Sequence, residues 1–198
     1  HEDPTRHSHE EQIEWFDKAM AAHQRVGNTP KGYRAPVYNI TQGVIDLLIE
    51  RGFEYDSSLM GDDIPYLMNS SNGSLVEIPV HWGTDDWPPF AHYDEIGYMM
   101  PVKAPSVGLG AFFEEFDAHY EAGGFWHCIW HPFLTGRLAR WQQVERWLEK
   151  ILESHDVWFA TLGEINEYVR TYSQQPNSKV RVDQLPYYNE PPSVTAKK

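Results

Sequence analysis

One cysteine, Cys128, is all the thiol that the 198 residues contain, so no disulfide can form within the chain. That argues against a small secreted scaffold stapled by disulfides. Long apolar runs are missing too, and no stretch approaches the length needed to cross a bilayer. Basic side chains are scarce: 16 Lys and Arg against 29 Asp and Glu leave a formal charge of −13. With no basic stripe to neutralise phosphates, neither a nucleic acid nor an anionic membrane is an expected partner. The acidic residues are scattered, which reads as a solvated surface. There is no initiator methionine before His1 and no visible leader. Removal of an upstream segment and a cytoplasmic location are the expectations.

Aromatic residues, by contrast, are abundant at 14%, eight of them tryptophan, in an otherwise ordinary soluble composition. The length suits one sizeable core. Ser8 with Glu11 forms a capping-box pattern that predicts a helix over 10–26, with Ile13, Phe16, Met20 and Ala19 inward. Tyr33-Arg34-Ala35-Pro36 predicts a short strand. Thr41 caps a second helix that Gly52 ends, and Phe53–Ser58 follows as another strand. Strand, helix, strand is the rhythm of βα units. Residues 61–73 read as loop, Leu75–Val80 as strand, and 81–110 as a long functional loop. Helices are predicted over 111–121, 139–154 and 162–172, with a last strand at Val157–Ala160. The expected domains are a barrel over 1–172 and a polar tail over 173–198, possible as an oligomer arm.

Between two of those helices lies Gly124–Arg137, an apolar and aromatic run that halts at His131-Pro132. It is too short for a helix, so a buried strand is predicted, ended by the proline. A histidine at such a strand end suits acid–base chemistry at neutral pH, although a histidine satisfied by a backbone carbonyl would look the same. His127 and His131 have the spacing of a chelating pair, but on a strand they stand ~13 Å apart, too far to share a metal. Cys128 should face the other way and be inert.

Four motifs then appear in order. They are Gly32-Tyr33-Arg34-Ala35-Pro36, Gly52-Phe53-Glu54-Tyr55-Asp56-Ser57-Ser58, Asp86-Trp87 and Ile129-Trp130-His131-Pro132. Together they resemble the successive motifs of the polysaccharide deacetylase (NodB-homology, carbohydrate esterase 4) superfamily. Tyr55–Gly61 and His131–Arg137 are similar to the branch of intracellular peptidoglycan deacetylase-like, allantoinase-like and cyclic imidase proteins. The resemblance covers most of the chain to about Arg170. It implies a distorted α/β barrel of (β/α) units, here only its C-terminal two-thirds, and hydrolysis of a non-peptide C–N bond assisted by a divalent metal, commonly zinc.

The resemblance also implies roles. His131 matches the general acid, and Asp86 the carboxylate that orients and charges it. Arg34 matches the arginine that pairs with the catalytic base. Trp87, Tyr33, Pro36 and Ile129 match positions lining the substrate. His1, in His1-Glu2-Asp3-Pro4, matches the second histidine of the metal motif. The first histidine, the metal aspartate and the basic aspartate have no match, so a separate N-terminal segment or chain is the expected partner. The implied substrate is a small-molecule or glycan amide, and a homo-oligomer is expected. The alternatives are a metal-independent allantoinase-like or cyclic-imidase-like hydrolase, and a catalytically silent carbohydrate-binding barrel.

Overall fold

The computed structural model describes residues 2–154 and 156–188. In chain order its helices and strands are α1 (His9–Arg25), β1 (Gly32–Tyr33), α2 (Gln42–Glu50), β2 (Tyr55–Asp56), β3 (Tyr66–Ser70), β4 (Gly73–Glu77), α3 (Trp87–Phe90), α4 (Pro105–Ala122), α5 (Leu138–Ser154), α6 (Leu162–Ser173) and β5 (Val182–Gln184). They fall into two compact units. The first runs to Pro79 and resumes at Ala160; the second is Val80–Phe159. No helix among the described residues is long and apolar enough to cross a membrane.

In the first unit, the expected caps form. Ser8 accepts from the Glu11 N–H at 3.3 Å while the Glu11 carboxylate accepts from the Ser8 N–H at 2.9 Å, which starts α1. Thr41 caps α2 by accepting from the Val44 N–H at 3.3 Å, and Gly52 ends it at φ +76°, a left-handed conformation that favours glycine. The inward face of α2 supplies Val44, Ile45 and Leu48 to a core with Phe53, Tyr66, Met68 and Leu75. Phe16 and Met20 of α1 pack against it half-buried, whereas Ala19 is exposed.

The sheet order is β1-β2-β4-β3-β5, with β1, β2 and β4 parallel. Two elements differ from expectation. Residues 61–73 are not all loop: Tyr66–Ser70 pairs antiparallel with β4 across a tight turn at Ser71-Asn72. Tyr66 and Met68 are buried on alternate positions, and Asn72-Gly73 is a hairpin signal. The polar tail also carries a strand, because β5 pairs parallel with β3. Arg181 anchors it, donating to Asp183 and to the Gly61 carbonyl and stacking 3.9 Å over the Tyr66 ring. Low hydropathy concealed an edge strand that is held by ion pairs and backbone bonds rather than by apolar burial. Helix α6 is tied down by Arg170, which donates to the backbone of Glu54 and Ser74, and by Asn166, which donates to the Glu54 carboxylate at 2.9 Å.

The second unit is helical and aromatic. Phe90, Ala91, Leu109, Phe112, Leu134 and Val144 form one cluster; Phe116, Trp147 and Ile151 form another. Helix α4 begins earlier than expected because Pro105, whose missing N–H costs nothing in a first turn, opens it. Phe113 stacks on Trp147 at 4.9 Å between centroids, and Trp126 meets the same ring edge-on at 5.3 Å. In α5, Val144, Trp147 and Ile151 are buried, whereas Leu152 is exposed.

The run 124–131 is non-helical, as expected, but it is not a ladder strand. One parallel rung forms, at Asp85 and Ile129. The alternation is present: Trp126, Cys128 and Trp130 pack on the aromatic core, while His127 contacts Phe125. Proline stops the ladder beyond the rung, and before it the Thr84 N–H is taken by the His81 carbonyl at 3.2 Å. Pro88-Pro89 follows on one side and Pro132 on the other, and none of them has an N–H to extend the ladder. Val157–Ala160 likewise forms no strand, and Trp158 and Phe159 are more than half exposed.

Candidate active site

That single rung sets up the chemistry. The Ile129 N–H donates to the Thr84 carbonyl at 2.8 Å, and the Asp86 N–H donates to the Ile129 carbonyl at 3.1 Å. These bonds bring Asp86 beside His131, 45 residues away in the chain. Asp86 is fully buried. One of its oxygens, Oδ1, lies 2.6 Å from Nδ1 of His131. The His131 N–H donates to both carboxylate oxygens, at 3.1 and 2.9 Å. The Thr135 N–H and hydroxyl donate to Oδ2 at 3.2 and 2.5 Å. Asp86 therefore meets four donor groups and acts only as an acceptor. An imidazole nitrogen facing such a carboxylate must be the protonated one, so Nδ1 carries hydrogen and Nε2 is left for chemistry.

The turn that follows His131 is tightly made. His131 accepts through its carbonyl from the N–H groups of Leu134 and Thr135, and Arg140 donates to the Leu134 carbonyl at 2.6 Å. Gly136 is needed for closure, because a Cβ there would lie 2.2 Å from the Pro132 carbonyl oxygen. Two rings flank the imidazole edge-on: Trp87 at 5.5 Å and Phe133 at 5.6 Å. Phe133 is more than half exposed and itself meets Trp87 edge-on at 6.2 Å, so the imidazole and the two rings form one mutually touching cluster.

Asp86, Trp87, Ile129 and His131 are thus brought together within the second unit. Tyr33, Arg34 and Pro36 belong to the first. Arg34 donates through Nε to the Ser57 carbonyl at 2.9 Å and through a terminal nitrogen to the Ser57 hydroxyl at 2.6 Å. Tyr33 packs against Phe16 and Phe53, and burial pushes its phenol up to about 12, with the Asp56 charge adding to the shift. Pro36 opens a turn in which Val37 and Tyr38 take φ of +54° and +61°, a region that a β-branched side chain seldom enters. His1 lies outside the described residues.

Sequence reasoning gave no role to Thr135, Phe133 or a buried carboxyl pair. The pair is Asp56 and Glu77, facing neighbours on β2 and β4. Both are fully buried. Asp56 accepts from the Ser58 N–H and hydroxyl. Glu77 accepts from the Leu59 N–H through Oε1, while Oε2 is buried without a well-placed partner. Burial, and then the Asp56 charge, push the Glu77 carboxyl well above its ordinary 4.5. A retained proton on Oε2 gives that orphan oxygen a hydrogen to offer Asp56. The two residues stand opposite each other on paired strands, a signal that would have required knowing which strands pair.

Could this site hold the divalent metal that the motifs imply? One ligand atom each from Asp85, Asp86 and His131 lies within 4.8 Å of the others. The donor set does not fit a preformed cation site. Asp86 already accepts from four donor groups, about what its lone pairs can serve. His131 commits Nδ1 to that same carboxylate. Asp85 accepts from the Trp87 N–H at 2.7 Å. A cation here would have to break the contacts that hold the histidine.

No family model matches the chain. It is 32% identical over 114 residues to a peptidoglycan deacetylase-like protein of Gibberella zeae, a match covering 45% of this chain and 34% of that protein. It is 26% identical over 169 residues to a peptidoglycan deacetylase of Helicobacter pylori, covering 70% of this chain and 56% of that one. The chain therefore spans between a third and three-fifths of the length of these relatives. Among solved structures it is similar to one assigned as a polysaccharide deacetylase from Mycobacterium smegmatis, with a TM-score of 0.81 and 31% identity over 91% of this chain and 63% of that one. An allantoinase has the same fold, with a TM-score of 0.71 at 21% identity over 83% of this chain and 54% of the other. The mixed α/β fold is that of the NodB-type barrel.

Proposed function

We propose, from its likeness to peptidoglycan and polysaccharide deacetylases, that the chain belongs to the NodB-like polysaccharide deacetylase superfamily and is part of a hydrolase cleaving a non-peptide C–N bond, with His131 as general acid. The observation that carries this reading is the 2.6 Å contact between Nδ1 of His131 and the buried Asp86 carboxylate. As water adds to the amide carbonyl carbon and the C–N bond breaks, the leaving nitrogen needs a proton. His131 delivers it from Nε2 and Asp86 stabilises the imidazolium before transfer. Trp87 and Phe133 wall the imidazole and offer flat faces to a sugar or a planar ring.

An N-acetylated glycan is the leading substrate, because two relatives bear the name peptidoglycan deacetylase or deacetylase-like. The proposal concerns the whole protein. The groups that activate water would come from the further Asp and His residues that the motif resemblance expects on another segment or chain. The divalent cation implied by that resemblance would likewise be held there, with His1, and not by Asp85, Asp86 and His131; no step above runs through it. The test is hydrolysis of N-acetylated glycan oligomers beside allantoin and cyclic imides. Turnover of the glycans that falls at least ~100-fold in His131→Ala is expected. Undiminished turnover in that variant would remove His131 from the acid role, and release from the imides alone would transfer the protein to the cyclic-amide reading.

A further inference from the structure

We infer that Thr135 is a positioning residue that selects which oxygen of Asp86 serves His131, closing a His-x-x-x-Thr clamp around one buried carboxylate. This deepens the reading of His131 as the acid and rests on it.

A carboxylate on a free side chain can rotate and exchange its two oxygens. Here the exchange is blocked from one side. The Thr135 hydroxyl and N–H both take Oδ2, at 2.5 and 3.2 Å. The His131 backbone N–H straddles the two oxygens. Only Oδ1 is then left to the imidazole, and it lies 2.6 Å from Nδ1. Because His131 and Thr135 are the two ends of one turn, Asp86 holds that turn as much as the turn holds Asp86. Both Asp86 and Thr135 are buried, at 0% and 1% exposure, so water cannot stand in for a lost hydroxyl. The hydroxyl is also a charge-assisted donor, of the shorter and stronger kind. Arg140 on the Leu134 carbonyl and the bare Cα of Gly136 keep the turn closed while Thr135 makes these bonds.

The prediction separates hydroxyl from bulk. Valine matches threonine in shape but cannot donate, and serine donates without the methyl. In proton and nitrogen NMR of the ¹⁵N-histidine-labelled chain, His131 should show a downfield Nδ1–H resonance, assigned by its absence from His131→Ala. Thr135→Val should lose that resonance and lower kcat about ten-fold or more with little change in KM. Thr135→Ser should keep both near wild type. If Thr135→Val does not fold, Thr135→Ala carries the same comparison with serine. A resonance that survives in the valine or alanine variant, or one that serine fails to keep, overturns the inference. The spectroscopic arm needs no turnover. A wild-type resonance lost with the hydroxyl but no hydrolysis of any substrate would sink the hydrolase reading alone. Hydrolysis dependent on His131 with a resonance indifferent to Thr135 would sink only the clamp.

Discussion

Two buried carboxylate sites, one in each unit, are handled in opposite ways. Asp86 in the second unit is surrounded by donors, two of them from the Thr135 end of a turn and two from His131. Asp56 and Glu77 in the first unit take their donors, among the described residues, from the short segment 57–59, and Glu77 is left with a buried oxygen that lacks a well-placed partner. Burial is the same in the two places. Donor supply is not. Where donors abound, a carboxylate can stay an anion and organise a histidine; where they are few, a pair of carboxyl groups must keep a proton between them.

The largest way to break this comparison is to spoil the donor-rich site. Asp86→Asn puts an N–H₂ where at least one donor now points, which leaves buried donors unmet. We expect a loss of about 3 kcal/mol in unfolding free energy and a fall in any His131-dependent turnover of about 100-fold or more. Denaturant melts and steady-state kinetics measure the two. A stable Asp86→Asn variant with normal turnover would mean that the four donors do not need an anion.

Next in size is the turn itself. Gly136→Ala places a methyl group where the Pro132 carbonyl oxygen lies 2.2 Å away, so the turn must open. A destabilisation of about 1–3 kcal/mol is expected, together with loss of the downfield His131 proton. A variant as stable as wild type would show that the turn can relax without cost.

The smallest effect, and the one that sharpens the contrast, is on pH. In the unfolded chain Glu77 releases its proton near the ordinary 4.5, whereas the folded pocket holds it well above that value. The folded state binds more protons throughout that window, so stability should be full at its acid end and fall as pH rises through it. Glu77→Gln keeps a donor towards Asp56 and cannot titrate, so its stability should lose most of that alkaline slope. Thermal melts of both proteins across the pH range measure it. Parallel slopes would mean that the pair shares no proton.

The elements of the first unit were legible because their signals are local. Ser8 with Glu11, Thr41 and Gly52 act within one helical turn of themselves, and α1 and α2 begin and end where those residues require. Strand β4 is expected from Leu75–Val80, but β3 reads as loop although Asn72-Gly73 marks the hairpin, because the polar residues around it outweigh a short alternation. Strand β5 could not have been read, since its stability comes from pairing with Tyr66–Ser70 far upstream. At the site, His131, Asp86 and Trp87 were found through motif order, and the structure sets these three together. Thr135 was invisible because a threonine four residues past a histidine carries no chemical signature until a third residue comes between them.

By itself, the amino-acid sequence determined where helices start and stop, which residues alternate in 124–131, and that His131-Pro132 ends the run. Those are properties of neighbours, set by φ preferences, caps and missing N–H groups. Only the tertiary structure decided that the run forms a single rung and not a strand, that Asp86 meets four donors, and that Glu77 faces Asp56. Each of these depends on groups far apart in the chain meeting in a dry interior, where the number of donors within reach, not the residue type, sets what a carboxylate does.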